Sequence, residues 1–386
     1  MNTSTADLIE PISSTEINVD DMRRREVIDS RHAQVIDLLK KHKLDAILIR
    51  RPENFSWATC GAKNTFPTDN EPTASIFVSE SARVLLCGNV DSPEMFDYQI
   101  ASQGFQHKER PWFESKDKLI ADFCKGRKIG SDSPFENTKD LRHEFDQLRI
   151  GLSEFERTRF IEAGRLLVHA IEATCRHLKK GATDTEAVAE LSHRLWRHQL
   201  RPVLMQVMAD GRGKRYRHWR EDQDQIEKYA VISVIVERDG LHVGCTRTVS
   251  FGRPPADLMV DFRRVALIYA TALFYSQPGW TLSKLMHPLE NVFSKFGCED
   301  EWKLADFGAV TGYRPTESVV LPENGLKLAK LTPLHWYPTV GQARIGDTIL
   351  VKDSGFEWAT PVDTWPTMEV EIKGNRFSLP DVLQRD

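Results

Sequence analysis

The pattern of hydrophobic and polar residues changes near residue 150. Before that point, residues 22–44 carry apolar side chains at helical spacing. Short apolar runs follow at 45–49 and in the segments ASIFVS, RVLLCGN and RKIGSD. Such short strands between helical segments predict a small N-terminal α/β domain over residues 22–150. Residues 1–21 are polar and acidic, and we expect them to form a flexible tail.

The second half begins with two helix-start signals. Ser153 with Glu156, and Thr183 with Glu186, each fit the capping box in which a hydroxyl and a carboxylate satisfy the first backbone N–H groups of a helix. The amphipathic stretches that follow predict two helices joined as a helical hairpin. This is the strongest structural prediction in the chain.

The remaining part of the chain alternates between strand and helix patterns. A β-hairpin is predicted over residues 229–252, with its turn at Arg238-Asp239-Gly240. Two helices are predicted at about 256–276 and 281–296. From Asp306 onwards the pattern is rich in strands, and DTILVKDSGFEWAT predicts another hairpin. The sequence therefore indicates an α+β protein whose second domain spans residues 151–386.

Composition narrows the functional classes. The chain has 386 residues, 40% of them hydrophobic and 28% charged, with a formal net charge of −4, so a basic nucleic-acid surface is not expected. No apolar run is long enough for a membrane span. The six cysteines have no paired spacing, which favours reduced thiols and a cytoplasmic location.

Six short motifs follow one another along the chain in an order that can be compared with known families. Asn54-Phe55 with Trp57 and Gly61 is followed by RYRHW, GLHVGCTRTVSFG, GAVTGYRPTE, YPTVGQARIGDT and TPVDTWP. Together they resemble the pita-bread family of creatinase, aminopeptidase P and prolidase over about residues 22–380. The resemblance implies a C-terminal pita-bread domain that carries the active site, and a homodimer.

The resemblance also implies a dinuclear metal site built from two aspartates, one histidine and two glutamates. The corresponding positions hold Ser233, Gly244, Ala305-Asp306, Tyr337 and Gly346. Only Asp306 among these could bind a metal ion. We therefore expect neither a metal nor another cofactor at the family position.

Creatinase suggests what such a scaffold can do, since it has lost the metal aspartates and uses a histidine as acid and base. That histidine corresponds to His218, in RGKRYRHWRED. An imidazole can accept and return a proton near neutral pH. Asp306 and Tyr337 complete the predicted catalytic set, although Tyr337 could instead fill the vacated metal cavity. The predicted substrate-binding residues are Arg215, Arg217, Arg247, Tyr313, Glu317 and Trp57.

Other residues receive weaker roles. His335 and His242 lie in strand settings that are more typical of packing than of ligand binding. Trp57 and Asn64 are candidates to reach the active site of a partner subunit, or are ordinary core and turn residues.

Three functions remain open from the sequence. The first is a metal-independent creatinase-like hydrolase or lyase that cleaves a C–N or neighbouring bond of a small amino-acid-derived or anionic metabolite, in a specialised biosynthetic or catabolic pathway. It would not be a conventional Xaa-Pro peptidase. The second is a non-catalytic pita-bread binding module. The third is an enzyme with an unconventional metal site near Asp306, using Glu317, Asp347 or a histidine. The first requires His218 to lie in a closed polar pocket.

Overall fold

The computed structural model describes residues 19–66 and 71–386, and these residues form two compact units. The first unit contains the described residues up to Arg51 together with Ala58–Leu141. The second contains Pro52–Trp57 and Arg142–Asp386. The first unit thus ends before the predicted boundary near residue 150. Most of the predicted tail lies outside the described residues, but the first helix already begins at Val19.

The first unit is built on a six-stranded mixed sheet with the strand order β4-β3-β2-β1-β5-β6. Its core packs apolar side chains from several strands and from helix α4, among them Leu48, Phe77 and Leu119. A short π-helical turn, Met95–Gln99, follows α3. The helices and strands of this unit are α1 (Val19–His42), β1 (Ala46–Ile49), β2 (Ala74–Ser79), β3 (Arg83–Gly88), α3 (Ser92–Glu94), β4 (Gln106–Arg110), α4 (Lys116–Cys124), β5 (Ile129–Ser131) and β6 (Lys139–Asp140). Helix α2 (Pro52–Thr59) lies between β1 and β2 in the sequence, and most of it belongs to the second unit.

The helices of the second unit include the predicted helical hairpin. Both capping boxes are confirmed: the Glu156 N–H donates to Ser153 Oγ at 3.2 Å, and the Ser153 N–H donates to Glu156 Oε2 at 2.9 Å, with the same exchange between Thr183 and Glu186. The helices are α5 (Arg142–Leu148), α6 (Glu154–His177), α7 (Asp184–Arg197), α8 (Ala256–Tyr275), α9 (Leu282–Lys295) and α10 (Glu301–Leu304).

The strands of the second unit form a four-stranded sheet, β19-β9-β8-β7, a five-stranded sheet, β11-β10-β12-β15-β16, and two separate pairs, β13-β14 and β17-β18. The main core of this unit includes Phe262 of helix α8 together with Leu289 and Trp336. The strands are β7 (Arg201–Ala209), β8 (Tyr229–Arg238), β9 (Leu241–Phe251), β10 (Gly308–Val310), β11 (Ser318–Val319), β12 (Pro333–Trp336), β13 (Thr339–Val340), β14 (Ala343–Arg344), β15 (Asp347–Val351), β16 (Phe356–Trp358), β17 (Thr367–Ile372), β18 (Asn375–Pro380) and β19 (Leu383–Arg385).

The two predicted hairpins are present. Strands β8 and β9 pair antiparallel around a turn in which Asp239 and Gly240 have φ angles of 53° and 77°. This left-handed conformation is the one that aspartate and glycine tolerate in tight hairpin turns. Strand β15 pairs antiparallel with β16. Strand β7, which pairs with β8, was not predicted.

Among the described helices, none combines the length and the apolar character that a membrane crossing requires.

Candidate active site

A cavity of about 230 Å³ lies in the second unit, on the side of the β8-β9 hairpin where Ser233 and Thr246 are paired. Loop and strand segments from distant parts of the sequence contribute to its wall. The polar side chains of the wall include those of Gln206, His218, Ser233, Asp306, His335, Tyr337 and Arg344. Thus three predicted catalytic residues, His218, Asp306 and Tyr337, line one cavity.

His218 lies at an exposed position in the loop after β7. Its Nδ1 atom is 3.4 Å from the amide nitrogen of Gln206, which is a long hydrogen bond. Gln206 comes from β7, the strand that sequence patterning missed. The imidazole therefore lies at the cavity wall but is open to solvent. It does not lie in the closed pocket that was expected.

Asp306 and Tyr337 form a direct pair. The Tyr337 hydroxyl donates to Asp306 Oδ2 at 2.7 Å. Burial, and then the negative charge of Asp306, raise the pKa of Tyr337 above its ordinary value. The phenol therefore keeps its proton at neutral pH and can act as a hydrogen-bond donor.

His335, for which its strand setting predicted a packing role, also lines the cavity. It is 5% exposed, and its ring centroid lies 4.8 Å from that of Tyr337. Burial, and then the charge of Arg344, lower the pKa of His335 from 6.5 to about 3. The ring is consequently neutral at physiological pH.

Gly244 explains how this histidine fits. A Cβ atom at Gly244 would lie 2.5 Å from His335 Cε1 and 2.9 Å from its Nε2, far inside normal contact distance. The backbone of Gly244 is held by Thr348, whose Oγ1 accepts from the Gly244 N–H at 3.0 Å and donates to its carbonyl at 2.7 Å. The imidazole of His335 thus occupies the space into which a side chain at position 244 would project.

The predicted arginine contacts are placed differently. Arg247 is buried outside the cavity lining, where it bonds Glu172 Oε1 at 3.1 Å and Asp347 Oδ1 at 2.9 Å. Arg217 pairs with Glu301, while Arg215 is exposed, with its guanidinium 5.3 Å from the centre of the Tyr216 ring. None of these three arginines lines the cavity.

The other predicted substrate-binding residues also lie outside the lining. Glu317 accepts three hydrogen bonds from Arg149, at 2.7, 3.1 and 3.2 Å, and the Tyr313 hydroxyl donates to Glu156. Trp57 is 2% exposed and meets Phe145 edge to face.

Asn64, proposed with Trp57 to reach a partner subunit, is likewise buried. Its amide donates to the carbonyls of Arg50 and Ala74 at 2.9 Å. Both side chains are buried within their own chain, so neither extends from the surface as that role would require.

Comparison with known proteins identifies the family. The model of metallopeptidase family M24 matches residues 158–353, which is just over half of the chain. The chain belongs to this family. No curated protein sequence matches it significantly.

Solved structures of several peptidases have the same fold. The prolidase from Pyrococcus horikoshii OT3 is 18% identical, with a TM-score of 0.75 over 86% of this chain and 99% of its own. The X-Pro aminopeptidase from Thermotoga maritima MSB8 is 19% identical, with a TM-score of 0.70 over 86% and 98%. The dipeptidase PepE from Mycobacterium ulcerans is 15% identical, with a TM-score of 0.74 over 94% and 99%. These likenesses confirm the α+β fold class, a small N-terminal α/β domain followed by a pita-bread domain.

The M24 family implies a metal site, and the residues of this chain do not fit one. The Ser233 hydroxyl is hydrogen-bonded to Thr246 Oγ1 at 2.9 Å, Gly244 and Gly346 offer no side chain, and Tyr337 is bonded to Asp306. Within residues 19–66 and 71–386, no group of three or more His, Cys, Asp or Glu side chains is arranged to hold a metal ion. Two divalent ions need several anionic ligands, and this cavity wall supplies one carboxylate.

We expect the fit between Gly244 and His335 to be visible in stability measurements. Gly244→Ala forces a Cβ atom into the imidazole and should lower the free energy of unfolding by about 1–3 kcal/mol. In a His335→Ala background the same change should cost much less, a coupling of about 1–2 kcal/mol in a double-mutant cycle measured by urea unfolding.

Gly325 is the matched control for this cycle, since a Cβ atom there meets nothing within 4 Å. Gly325→Ala should show no coupling to His335→Ala. If Gly244→Ala lowered the free energy of unfolding equally in both backgrounds, the His335 imidazole would not be what occupies the space of a side chain at position 244.

Proposed function

We propose that the protein is a metal-independent enzyme that cleaves a C–N bond of a small anionic, amino-acid-derived molecule, with His218 as general acid and base. The observation that carries this proposal is the make-up of one cavity. His218 and the Asp306–Tyr337 pair, which are proton-transfer groups, line this cavity together with Ser233, and Asp306 is the one carboxylate in its wall.

The residues can supply each proton that hydrolysis needs. His218 takes a proton from water while the water oxygen forms a bond to the substrate carbon. The C–N bond then breaks, its electron pair stays on nitrogen, and the imidazolium returns the proton to that nitrogen. Tyr337, kept protonated, turns its one O–H from Asp306 to a developing oxyanion when the substrate is bound. In an elimination, His218 instead removes a C–H proton and returns it to the departing nitrogen.

The size of the cavity favours a small substrate. About 230 Å³ lies below the roughly 300–1,000 Å³ typical of drug-sized ligand sites. The peptidase activity named for relatives depends on a metal-activated hydroxide. We therefore do not propose cleavage of Xaa-Pro peptides.

One observation favours a binding module as the second candidate. His218 is exposed, and the bond that holds its ring, from Gln206, is 3.4 Å long. Catalytic histidines are usually oriented by a shorter bond, often to a carboxylate. A binding module would retain the cavity without using His218 for proton transfer.

An unconventional metal site is less favoured. Glu317 is engaged by Arg149, and Asp347 by Arg247 and Thr360. Using either carboxylate with Asp306 would require breaking a buried ion pair.

Location and assembly also belong to the proposal. All six cysteines are free thiols, and five are buried, which fits a reducing cytoplasm. The resemblance to creatinase supports a homodimer.

The test is turnover of a defined panel in the presence of metal chelators. N-acyl, ureido and guanidino carboxylic acids are incubated with the full chain, and mass spectrometry detects product pairs whose summed mass equals substrate plus water, or substrate alone for elimination. We expect turnover in at least one class, unaffected by chelator, and none of Ala-Pro or Gly-Pro.

Turnover that appears only after divalent metal is added would contradict the proposal. Saturable binding of panel members without any product, unchanged in His218→Gln, would support the binding module instead.

A further inference from the structure

We infer that Arg344 and His335 form an anion-binding subsite that takes the carboxylate of the cavity's ligand. In naming a group of the substrate, this inference rests on the proposed function. The binding of a carboxylate itself is a separate property and can be measured without turnover.

Arg344 reaches the cavity from β14 and is held there by neutral groups. Its Nε donates to Thr339 Oγ1 at 2.8 Å, and its two terminal nitrogens donate to Gln206 Oε1 at 3.3 Å and to the Arg217 carbonyl at 3.4 Å. A guanidinium has more N–H donors than these three bonds use. Donors therefore remain for a ligand in the cavity.

The charge of Arg344 is not matched by an ion pair. Among the described residues, the side-chain hydrogen bonds of Arg344 go to a hydroxyl, an amide oxygen and a backbone carbonyl, and none goes to a carboxylate. The one carboxylate in the cavity wall, Asp306, is exposed and accepts the Tyr337 hydroxyl. Burial, and then the nearby Arg217, lower the pKa of Arg344, and the opposing effects of Tyr337 and Asp306 do not reverse this shift, as expected of a charge without a close counterion.

The two most deeply buried arginines of the second unit, Arg149 and Arg247, do have carboxylate partners. Arg149 pairs with Glu317, and Arg247 with both Glu172 and Asp347. The chain thus neutralises guanidinium groups that serve structure. Arg344, which faces a cavity, is left for an anion from outside to neutralise.

His335 adds a neutral partner beside this charge. Its buried Nε2 atom has no hydrogen-bond partner among the described residues. A buried polar atom without a partner indicates a missing ligand or water. Because His335 is neutral, the ring carries one N–H, and it adds no second charge next to Arg344.

Together these two residues make the cavity favour a negatively charged ligand in place of a metal cation. The fixed guanidinium attracts a carboxylate and repels a divalent cation, while the neutral imidazole adds a hydrogen-bonding nitrogen without adding charge. Asp306, which accepts the Tyr337 hydroxyl, is the one carboxylate in the wall. The part of the ligand that lies near Asp306 can therefore be neutral or cationic.

The experiment titrates the full-length ¹⁵N-labelled protein with sodium acetate at constant ionic strength, with sodium chloride as the balancing salt. Imidazole ¹⁵N resonances are followed, and that of His335 is assigned by its loss in His335→Gln. We expect a saturable shift of the His335 ¹⁵N signals and a dissociation constant at least about tenfold higher in Arg344→Gln. Arg238→Gln, at a surface ion pair with Glu162, is the matched control and should leave acetate affinity unchanged.

Arg344→Lys serves if Arg344→Gln does not fold, since it keeps the charge and loses the planar fork. We expect it to bind acetate more weakly than the original chain. Absence of a saturable His335 response, or equal affinity in the original chain and the Arg344 variant, would overturn the subsite. Acetate binding without turnover of any panel member supports the subsite while the proposed function fails, and turnover without acetate binding overturns the subsite alone.

Discussion

Replacing His218 with glutamine is expected to lower kcat by about 10²–10⁴-fold on whichever panel substrate is turned over. Glutamine can still form hydrogen bonds, but it cannot accept a proton from water and return it to nitrogen. The cavity and the Gln206 contact on β7 should survive, so KM should change little. Steady-state kinetics on both proteins, with circular dichroism to check folding, provides the measurement.

The control for His218 is His193→Gln, at an exposed position on α7. It should leave kcat and KM unchanged. The pH dependence adds a second readout, because the limb of the kcat profile that reports the catalytic histidine should be missing from His218→Gln. A fall in kcat of less than about tenfold would remove His218 from the role of acid and base.

Arg247→Ala is expected to lower the free energy of unfolding by about 3–5 kcal/mol, because it leaves the buried Asp347 without its cation and leaves Glu172 with only the more distant Arg176 at 3.7 Å. Arg247 bonds Glu172 and Asp347, and all three side chains are almost completely inaccessible. Burial raises the pKa of Asp347 from 3.8 to about 6, although Arg247 opposes this shift. Without Arg247 the pKa of Asp347 should rise further.

That direction fixes a pH dependence. A carboxyl group whose folded-state pKa exceeds its unfolded value binds more protons when folded, so its contribution to stability falls as pH rises between the two values. The deficit of Arg247→Ala should therefore be larger at pH 8 than at pH 5 in urea unfolding. Arg238→Ala, which breaks an exposed pair with Glu162, should cost less than about 1 kcal/mol. A small loss of stability in Arg247→Ala, together with a large rise in KM, would return Arg247 to the substrate-binding role predicted from the sequence.

Local signals in the sequence predicted most of the fold. The capping boxes at Ser153 and Thr183 and the Asp239-Gly240 turn depend on residues a few positions apart, and these elements are present. Strand β7 was missed because Pro202 and a β-bulge interrupt its alternation, and its first five residues are not buried. Since β7 carries Gln206, one wall of the cavity was missed with it.

The site was predictable where a motif fixed the position of a residue. His218, Asp306 and Tyr337 were placed by motif order, and they line the same cavity. Arginine roles were not predictable in this way, because their partners are distant in sequence: Arg149 and Glu317 are 168 positions apart. His335 looked like a packing residue because its relation to Gly244 exists only after β12 and β9 come together.

The central claim is that the cavity functions without a metal ion. Its most direct test is elemental mass spectrometry of the full chain, first as purified without added metal and then after equilibration with manganese, zinc and iron(II) followed by desalting. The account predicts well below one ion per chain in both samples. Near-stoichiometric metal in either sample, lost when Asp306 is changed to asparagine, would contradict it.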